Sequence, residues 1–263
     1  MSQFERNQLM SVETEKADWN SMYTIGGVAA LMQLGLTLLI ILISFVGALN
    51  PGEPNEFLAI LYTDRVVSGL LDDFTSLIVV ALYLGTFPAL YVALRRVNPT
   101  YTALATLFTV VGVTVVFATH SGLSMFYLSE QYAAAATEVQ RAQLLAVGQA
   151  VMASDMWNST GGYMAGILLQ GAGVIISLVM LRSKEFRAVT AWAGFFGNAF
   201  DLTQHILHPF APSISGVLLG IAGPFYLVWF VMLGRDFFRL RRDGRIKGNN
   251  PVETERLAAA NLR

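Results

Sequence analysis

Four polar residues recur at helical spacing within an otherwise apolar stretch of the chain. They are Asn198, Asp201, His205 and His208, separated by three, four and three positions. At about 100° of rotation per residue, this spacing places the four side chains on one face of a helix, which we call the polar stripe. A carboxylate and an imidazole one turn apart can bind a polar ligand or chelate a metal ion.

Two other ionisable residues border apolar runs. His120 lies near the end of one run, and Asp73 immediately precedes another. At about 1.5 Å per residue, Asp201 lies roughly 21 Å from the arginine that begins its helix, while His208, His120 and Asp73 lie roughly 32–36 Å from the arginines at the far ends of their helices. If the helices are neighbours, all these groups converge near one face of a membrane. The predicted ligand-binding set is Asp201, His205, His208, His120, Asn198 and Asp73.

Metal chemistry is one interpretation of this set. Asp201 and His205 could chelate one ion, with His208 or His120 as a third ligand and water as the fourth, as in catalytic zinc sites. This arrangement resembles the seven-span ceramidase and progestin-receptor superfamily, which implies zinc-dependent amide hydrolysis. The chain departs from that pattern at Val116, where a serine is expected one turn before His120. This interpretation predicts a metal-dependent membrane hydrolase, with zinc held by Asp201, His205 and His208.

Three interpretations without catalysis are also open. The stripe can be a buried hydrogen-bond seam between helices, with Asp201 satisfied across the interface. It can belong to a transporter for a weakly polar solute, because the inner halves of the predicted helices hold no ionisable residue that would serve a charged one. The interpretation we develop is an outward-facing pocket that binds a small polar or lipid ligand. The sequence does not decide whether the protein is an enzyme.

The helices that position these residues are predicted from long runs of uncharged residues. A chain that is 54% hydrophobic and 13% charged exposes too much apolar surface for a soluble domain. Runs of about 20 such residues cross a bilayer as helices, and prolines divide the longest run into two. We therefore predict an all-α integral membrane bundle of six transmembrane helices. The runs are Tyr23–Leu49, Phe74–Leu94, Val97–Ser129 and Met156–Leu181, followed by two spans between Ala188 and Gly234.

The positions of Lys and Arg predict the orientation of these helices. Of the 17 Lys and Arg residues, 15 lie on the side that holds both chain termini, and only Arg65 and Arg141 lie on the other. Because positively charged loops remain in the cytoplasm, both termini are predicted to be cytoplasmic. The predicted organisation is a cytoplasmic N-terminal segment (1–22), a transmembrane domain (23–240) and a polar cytoplasmic tail (241–263).

Two segments on the predicted outer side are longer than turns. Residues 54–71 and 131–154 mix apolar and charged side chains, which is typical of short interfacial helices. The lipid bilayer is thus the predicted partner of most of the surface. A net charge of −1 provides no basic face for nucleic acid, and the absence of cysteine excludes disulfides and thiolate metal sites. The sequence does not indicate an oligomeric state.

Three segments carry a family resemblance: ALYVALRRVNPTYTALA (89–105), LSEQYAAAATEVQRAQLLAVGQAVMAS (128–154) and GGYMAGILLQGAGVIISLVMLRSKEF (161–186). They resemble an uncharacterised prokaryotic family of six-span membrane proteins. The resemblance implies a helical multi-pass protein of the prokaryotic plasma membrane and assigns no activity. Members of that family often carry an Arg and a Glu one turn apart in the third helix. The corresponding segment, TLFTVVGVTVVFATHSGL (106–123), has neither, so no function is predicted from that pair.

Overall fold

All regular secondary structure in the described residues is helical. A computed structural model describes residues 3–45, 74–154 and 159–248, with side chains over 19–42, 74–154 and 159–243. Within these ranges the predicted all-α class is confirmed. Asp73 and the predicted interfacial segment 54–71 lie outside them. The helices are α1 (Gln3–Phe45), α2 (Phe74–Ala81), α3 (Tyr83–Leu94), α4 (Pro99–Thr119), α5 (Gly122–Ala134), α6 (Glu138–Ala153), α7 (Thr160–Leu181), α8 (Ala188–Leu207) and α9 (Pro212–Gly248).

Five helical stretches in the described residues are long and apolar enough to cross a membrane. This result supports the predicted membrane protein and the predicted helical bundle. Helix α8 is not among the five, because the polar stripe lowers its mean hydropathy. The five stretches are Trp19–Leu42, Phe74–Leu94, Pro99–Ala134, Thr160–Leu181 and Pro212–Asp243.

The contacts between neighbouring helices form a closed ring, in which the helices are arranged in chain order. Going around it, α1 contacts α2 and α3, α3 contacts α4, α4 contacts α7, α7 contacts α8, α8 contacts α9, and α9 returns to α1. Helix α8 therefore packs between α7 and α9. Helices α3 and α4 are neighbours, as the convergence of the predicted site requires, but α7 lies between α4 and α8.

Aromatic contacts bring several helix ends to the same end of this ring. The guanidinium of Arg95, at the end of α3, lies 4.3 Å from the ring centroid of Trp19 in α1. The Phe237 ring of α9 lies 6.4 Å from that of Tyr23 and 5.9 Å from that of Phe186, between α7 and α8. This end also carries Arg96, Arg182, Arg187 and Arg239, and we call it the basic end.

The second predicted helix is interrupted at Leu82, between α2 and α3. Gln33 of α1 meets this interruption: its Nε2 donates to the Val79 carbonyl at 3.1 Å. The Thr86 hydroxyl donates to Gln33 Oε1 at 3.0 Å. The buried Gln33 amide is thereby hydrogen-bonded, and α1 is linked to α2 and α3 on both sides of the interruption.

The third predicted helix is likewise two helices. Helix α4 ends at Thr119, His120 is extended with ψ of 125°, and α5 begins at Gly122. The Gly122 amide donates to His120 Nδ1 at 3.2 Å, so the imidazole caps the new helix. Helices α5 and α6 then pack together around Met125 and Leu128. The predicted segment 131–154 is thus helical apart from residues 135–137 and its last residue.

Candidate functional site

A buried polar cluster joins α7, α8 and α9 around the hydroxyl of Tyr226. This hydroxyl lies 2.8 Å from Asp201 Oδ2 and 2.7 Å from Gln170 Oε1. Asn198 Oδ1 is 3.4 Å away. We call these four residues, with His205, the Tyr226 cluster. A phenol carries one hydrogen, so Tyr226 cannot donate fully to all three acceptor oxygens, and the cluster is rich in acceptors.

Asp201 and His205 form a close pair on α8. The Nδ1 atom of His205 lies 3.1 Å from Asp201 Oδ1 and 3.0 Å from the Asp201 carbonyl oxygen. The carbonyl can only accept, so Nδ1 carries a hydrogen. The two side chains are 8% and 11% exposed, which removes most of the competition from water for this hydrogen bond.

The orientation of Asn198 is set by its second hydrogen bond. Its Nδ2 donates to the Gly194 carbonyl at 2.7 Å. Turning the amide over would bring two acceptor oxygens together at that distance, so the Asn198 oxygen is the atom that faces Tyr226. The side chain is buried, with 1% exposed. Asn198 therefore contributes an acceptor, and not a donor, to the cluster.

Two glycines of α7 provide the space for this stripe. A Cβ atom at Gly166 would lie 1.9 Å from Cδ2 of His205, and one at Gly173 would lie 1.9 Å from Asn198 Oδ1. Both distances are far below van der Waals contact, so no larger residue fits without moving the polar side chain. The two glycines are seven positions apart, as are Asn198 and His205. The two spacings are equal because α7 and α8 pack side by side over two helical turns.

The remaining predicted residues are placed elsewhere. His208 Nδ1 lies 3.3 Å from the Ser215 hydroxyl, which also lies 3.1 Å from Gln204 Oε1, at the junction of α8 and α9. His120 lines a separate open pocket between α2 and the α4–α5 junction. Of the predicted set, the structure thus brings together Asn198, Asp201 and His205. The other lining residues of the His120 pocket are Phe74, Leu77, Phe117, Gly122 and Leu123.

The described residues do not assemble a zinc centre. No three His, Cys, Asp or Glu side chains among them come close enough to hold a metal ion. Asp201 and His205 are adjacent, but His208 faces Ser215 and does not join them. A catalytic zinc needs three protein ligands, so this pair alone does not fit one.

A second buried carboxylate, at the basic end, was not singled out by the sequence pattern. Asp236 of α9 is fully buried. Its Oδ2 accepts from the Thr190 hydroxyl at 2.6 Å and from the Arg187 amide at 3.3 Å. Its Oδ1 lies 3.5 Å from Arg239 Nη2 and 4.0 Å from Arg187 Nε. Arg239 also donates to the Glu185 carbonyl. The segment between α7 and α8 is thereby fastened to α9.

Sequence patterns also missed Tyr226, because a tyrosine in an apolar helix is ordinarily part of the packing. The one available signal is that it contributes a hydroxyl two positions after Pro224, within a stretch otherwise free of polar side chains. No protein-family model, curated protein or solved structure matches the chain. The resemblance to the prokaryotic six-span family therefore stays a prediction.

Proposed function

We propose that this chain is a six-span membrane protein that binds a small polar ligand, or the headgroup of a lipid, at the Tyr226 cluster. The supporting observation is the meeting of Asp201, Gln170, Asn198 and Tyr226, from the three helices α7, α8 and α9, at one point. Ionisable groups inside a membrane cost several kcal/mol unless they are paired or serve a function. The single hydrogen of the Tyr226 hydroxyl cannot satisfy the three acceptor oxygens around it, so a ligand that carries hydrogen-bond donors would find acceptors there.

Helix α8 is the sixth span in this proposal. Its polar side chains face α7 and α9, where Asn198, Asp201 and Gln204 are buried. Its opposite face is apolar and exposed, as expected for a helix surface that contacts lipid. A helix with a polar inner face and an apolar outer face can cross a bilayer despite a modest mean hydropathy. The exposed apolar residues are Val189, Trp192, Phe196 and Ile206.

The proposed orientation places the basic end in the cytoplasm of a prokaryotic cell, by the positive-inside rule. The cluster then lies in the outer half of the bundle, because Asp201 is only six residues, about 9 Å, from the end of α8. Helices α5 and α6 lie on the outer side as interfacial helices. A ligand would enter past His205 and the His208–Ser215 contact, which continue the stripe toward that side.

Cysteine labelling tests the sixth span directly, because the natural chain has no cysteine to interfere. Lys184→Cys lies before α8 and Phe210→Cys after it, and both positions are exposed. We expect a membrane-impermeant maleimide added to intact cells to label Phe210→Cys and to spare Lys184→Cys until the membrane is permeabilised. Equal labelling of both positions in intact cells would show that α8 does not cross.

Ligand binding is tested by thermal unfolding of the purified chain in lipid nanodiscs with ethanolamine, choline and glycerol. We expect at least one probe to raise the melting temperature by about 5–10 °C at roughly 100 times its Kd. The increase should be lost in Asp201→Asn. It should persist in Thr203→Val, a change on the exposed face of the same helix. Identical responses of the natural chain and Asp201→Asn to all three probes would reject the proposed site.

A further inference from the structure

A row of aromatic rings crosses the surface between α8 and α9. Trp192 stacks on Phe196 with ring centroids 5.6 Å apart, and Phe196 lies 5.6 Å from Phe225 of α9. Phe200 lies 6.0 Å from the same Phe225 ring. We call these four residues the aromatic row. Trp192 and Phe196 are exposed, so the row offers lipid a continuous apolar surface that joins the two helices.

Two arginines lie beyond the aromatic row at the basic end. Arg187 precedes Trp192 by five residues, about 8 Å along the helix. Arg187 Nε and Arg239 Nη2 lie 4.0 and 3.5 Å from the same oxygen, Asp236 Oδ1. Arg187 and Phe200 are separated by about 20 Å along α8, slightly more than the roughly 15 Å of hydrocarbon in one leaflet. The arginines and the row together therefore match the length of one lipid, from headgroup to acyl chain.

Both arginines are held in position and remain accessible. Asp236 is completely buried between them, and Arg239 Nη2 also donates to the Glu185 carbonyl. A guanidinium has five N–H donors, and these two contacts of Arg239 use only one of its nitrogens. The Arg187 and Arg239 side chains are 43% and 28% exposed, so a ligand at the membrane surface can reach them. Positioned guanidinium groups bind phosphate through paired hydrogen bonds.

The charge of the basic end indicates which phospholipid fits. The stretches 95–96, 182–187 and 235–243 hold nine Lys and Arg residues against three Asp and Glu residues. This excess attracts a lipid with a net negative charge. A zwitterionic lipid also carries a phosphate, but it brings a cationic group that the same excess repels. The surface therefore favours an anionic phospholipid.

We propose that the α8–α9 surface at the basic end binds one anionic phospholipid. Its phosphate lies against Arg187 and Arg239, and an acyl chain lies along the aromatic row, so that the lipid bridges the two helices. This site is separate from the Tyr226 cluster, which lies toward the other end of the bundle. The two proposals share only the crossing of the membrane by α8.

Native mass spectrometry of the full chain in detergent tests the headgroup preference. Phosphatidylglycerol and phosphatidylcholine with identical acyl chains are added at equal concentrations. We expect phosphatidylglycerol to bind at least about fivefold more tightly, which is roughly the effect of one arginine beside an anionic headgroup. Arg239→Gln should remove most of this difference, and Arg239→Lys should keep more of it. The control Arg96→Gln should retain all of it, because Arg96 lies between α3 and α4, across the ring from α8 and α9.

Fluorescence quenching locates the lipid without changing an arginine, so it remains informative if Arg239→Gln does not fold. Brominated phosphatidylglycerol, as a trace component of phosphatidylcholine nanodiscs, should quench tryptophan emission more than brominated phosphatidylcholine does. The excess quenching should disappear in Trp192→Phe. Excess quenching that persists in this variant, or equal binding of the two lipids by the natural chain, would overturn the proposed lipid site.

The failure of this site can be distinguished from the failure of the proposed function. Asp201→Asn alters the Tyr226 cluster and should leave the phosphatidylglycerol preference unchanged. A chain without that preference in which cysteine labelling still shows α8 crossing the membrane loses the lipid site alone. Labelling that shows α8 not to cross would reject both proposals.

Discussion

Gly173→Ala should destabilise the bundle by about 2–3 kcal/mol, as expected for overpacking together with weakened buried hydrogen bonds. The added methyl group would lie 1.9 Å from Asn198 Oδ1 and 2.1 Å from its Cγ. Asn198 would have to leave the position in which it donates to Gly194 and faces Tyr226. Equilibrium unfolding in mixed micelles with increasing SDS measures the change.

Gly171→Ala provides the matched control, because it lies on the same helix and a Cβ atom there meets nothing within 4 Å. It should be neutral or slightly stabilising, since alanine favours helix more than glycine does. A double-mutant cycle identifies the cause: in an Asn198→Ala background, Gly173→Ala should lose most of its cost. A cost that is unchanged in that background would show that the clash with Asn198 is not responsible.

The sequence predicts the membrane helices well where hydropathy is uniform. Among the described residues, five long apolar helical stretches occur where runs of apolar residues predicted them. The breaks at Leu82 and His120 were not predicted, because both lie within apolar runs. The first is accompanied by hydrogen bonds to Gln33 from another helix, and the second by a hydrogen bond to the His120 imidazole. Hydropathy reports the solvent that a segment requires, but it carries no information on which neighbour satisfies a backbone group.

The site was predictable only along one helix. Helical periodicity places Asn198, Asp201 and His205 on one face, and the structure has all three in one cluster. Periodicity cannot identify the facing helices, so Tyr226 and the α7 glycines were missed. His120 was grouped with the stripe from its depth alone, yet depth does not fix the position around the ring, and α7 separates its helix from α8.

The segment RDFFRLRRD (235–243) illustrates the same limit. Its charges are typical of a solvated helix end, and Asp243 fits that interpretation with 51% of its side chain exposed. Asp236, one heptad earlier, is instead completely buried by contacts from Thr190, Arg187 and Arg239. Which of two aspartates on one helix is buried depends on the loop that folds over it.

Asp236→Ala should therefore cost about 2–4 kcal/mol, as expected when two donors lose a buried acceptor, because the two arginines are partly exposed and their pairs add little. It would leave the Thr190 hydroxyl and the Arg187 amide without their acceptor and would release Arg239. Since these contacts fasten the segment between α7 and α8, trypsin should cleave after Lys184 faster in this variant. The rate of that cleavage, together with the free energy of unfolding, provides two independent measurements.

Asp243→Ala is the control, because it removes the same side chain from the same helix two turns later. Its pair with Arg242 spans 3.8 Å at an exposed position, and such pairs contribute roughly 0–1 kcal/mol. We expect nearly unchanged unfolding and unchanged cleavage after Lys184. An equal loss of unfolding free energy in the two variants would mean that net charge at the basic end stabilises the bundle. A loss confined to Asp236→Ala assigns the stability to the buried contacts that hold α8 against α9.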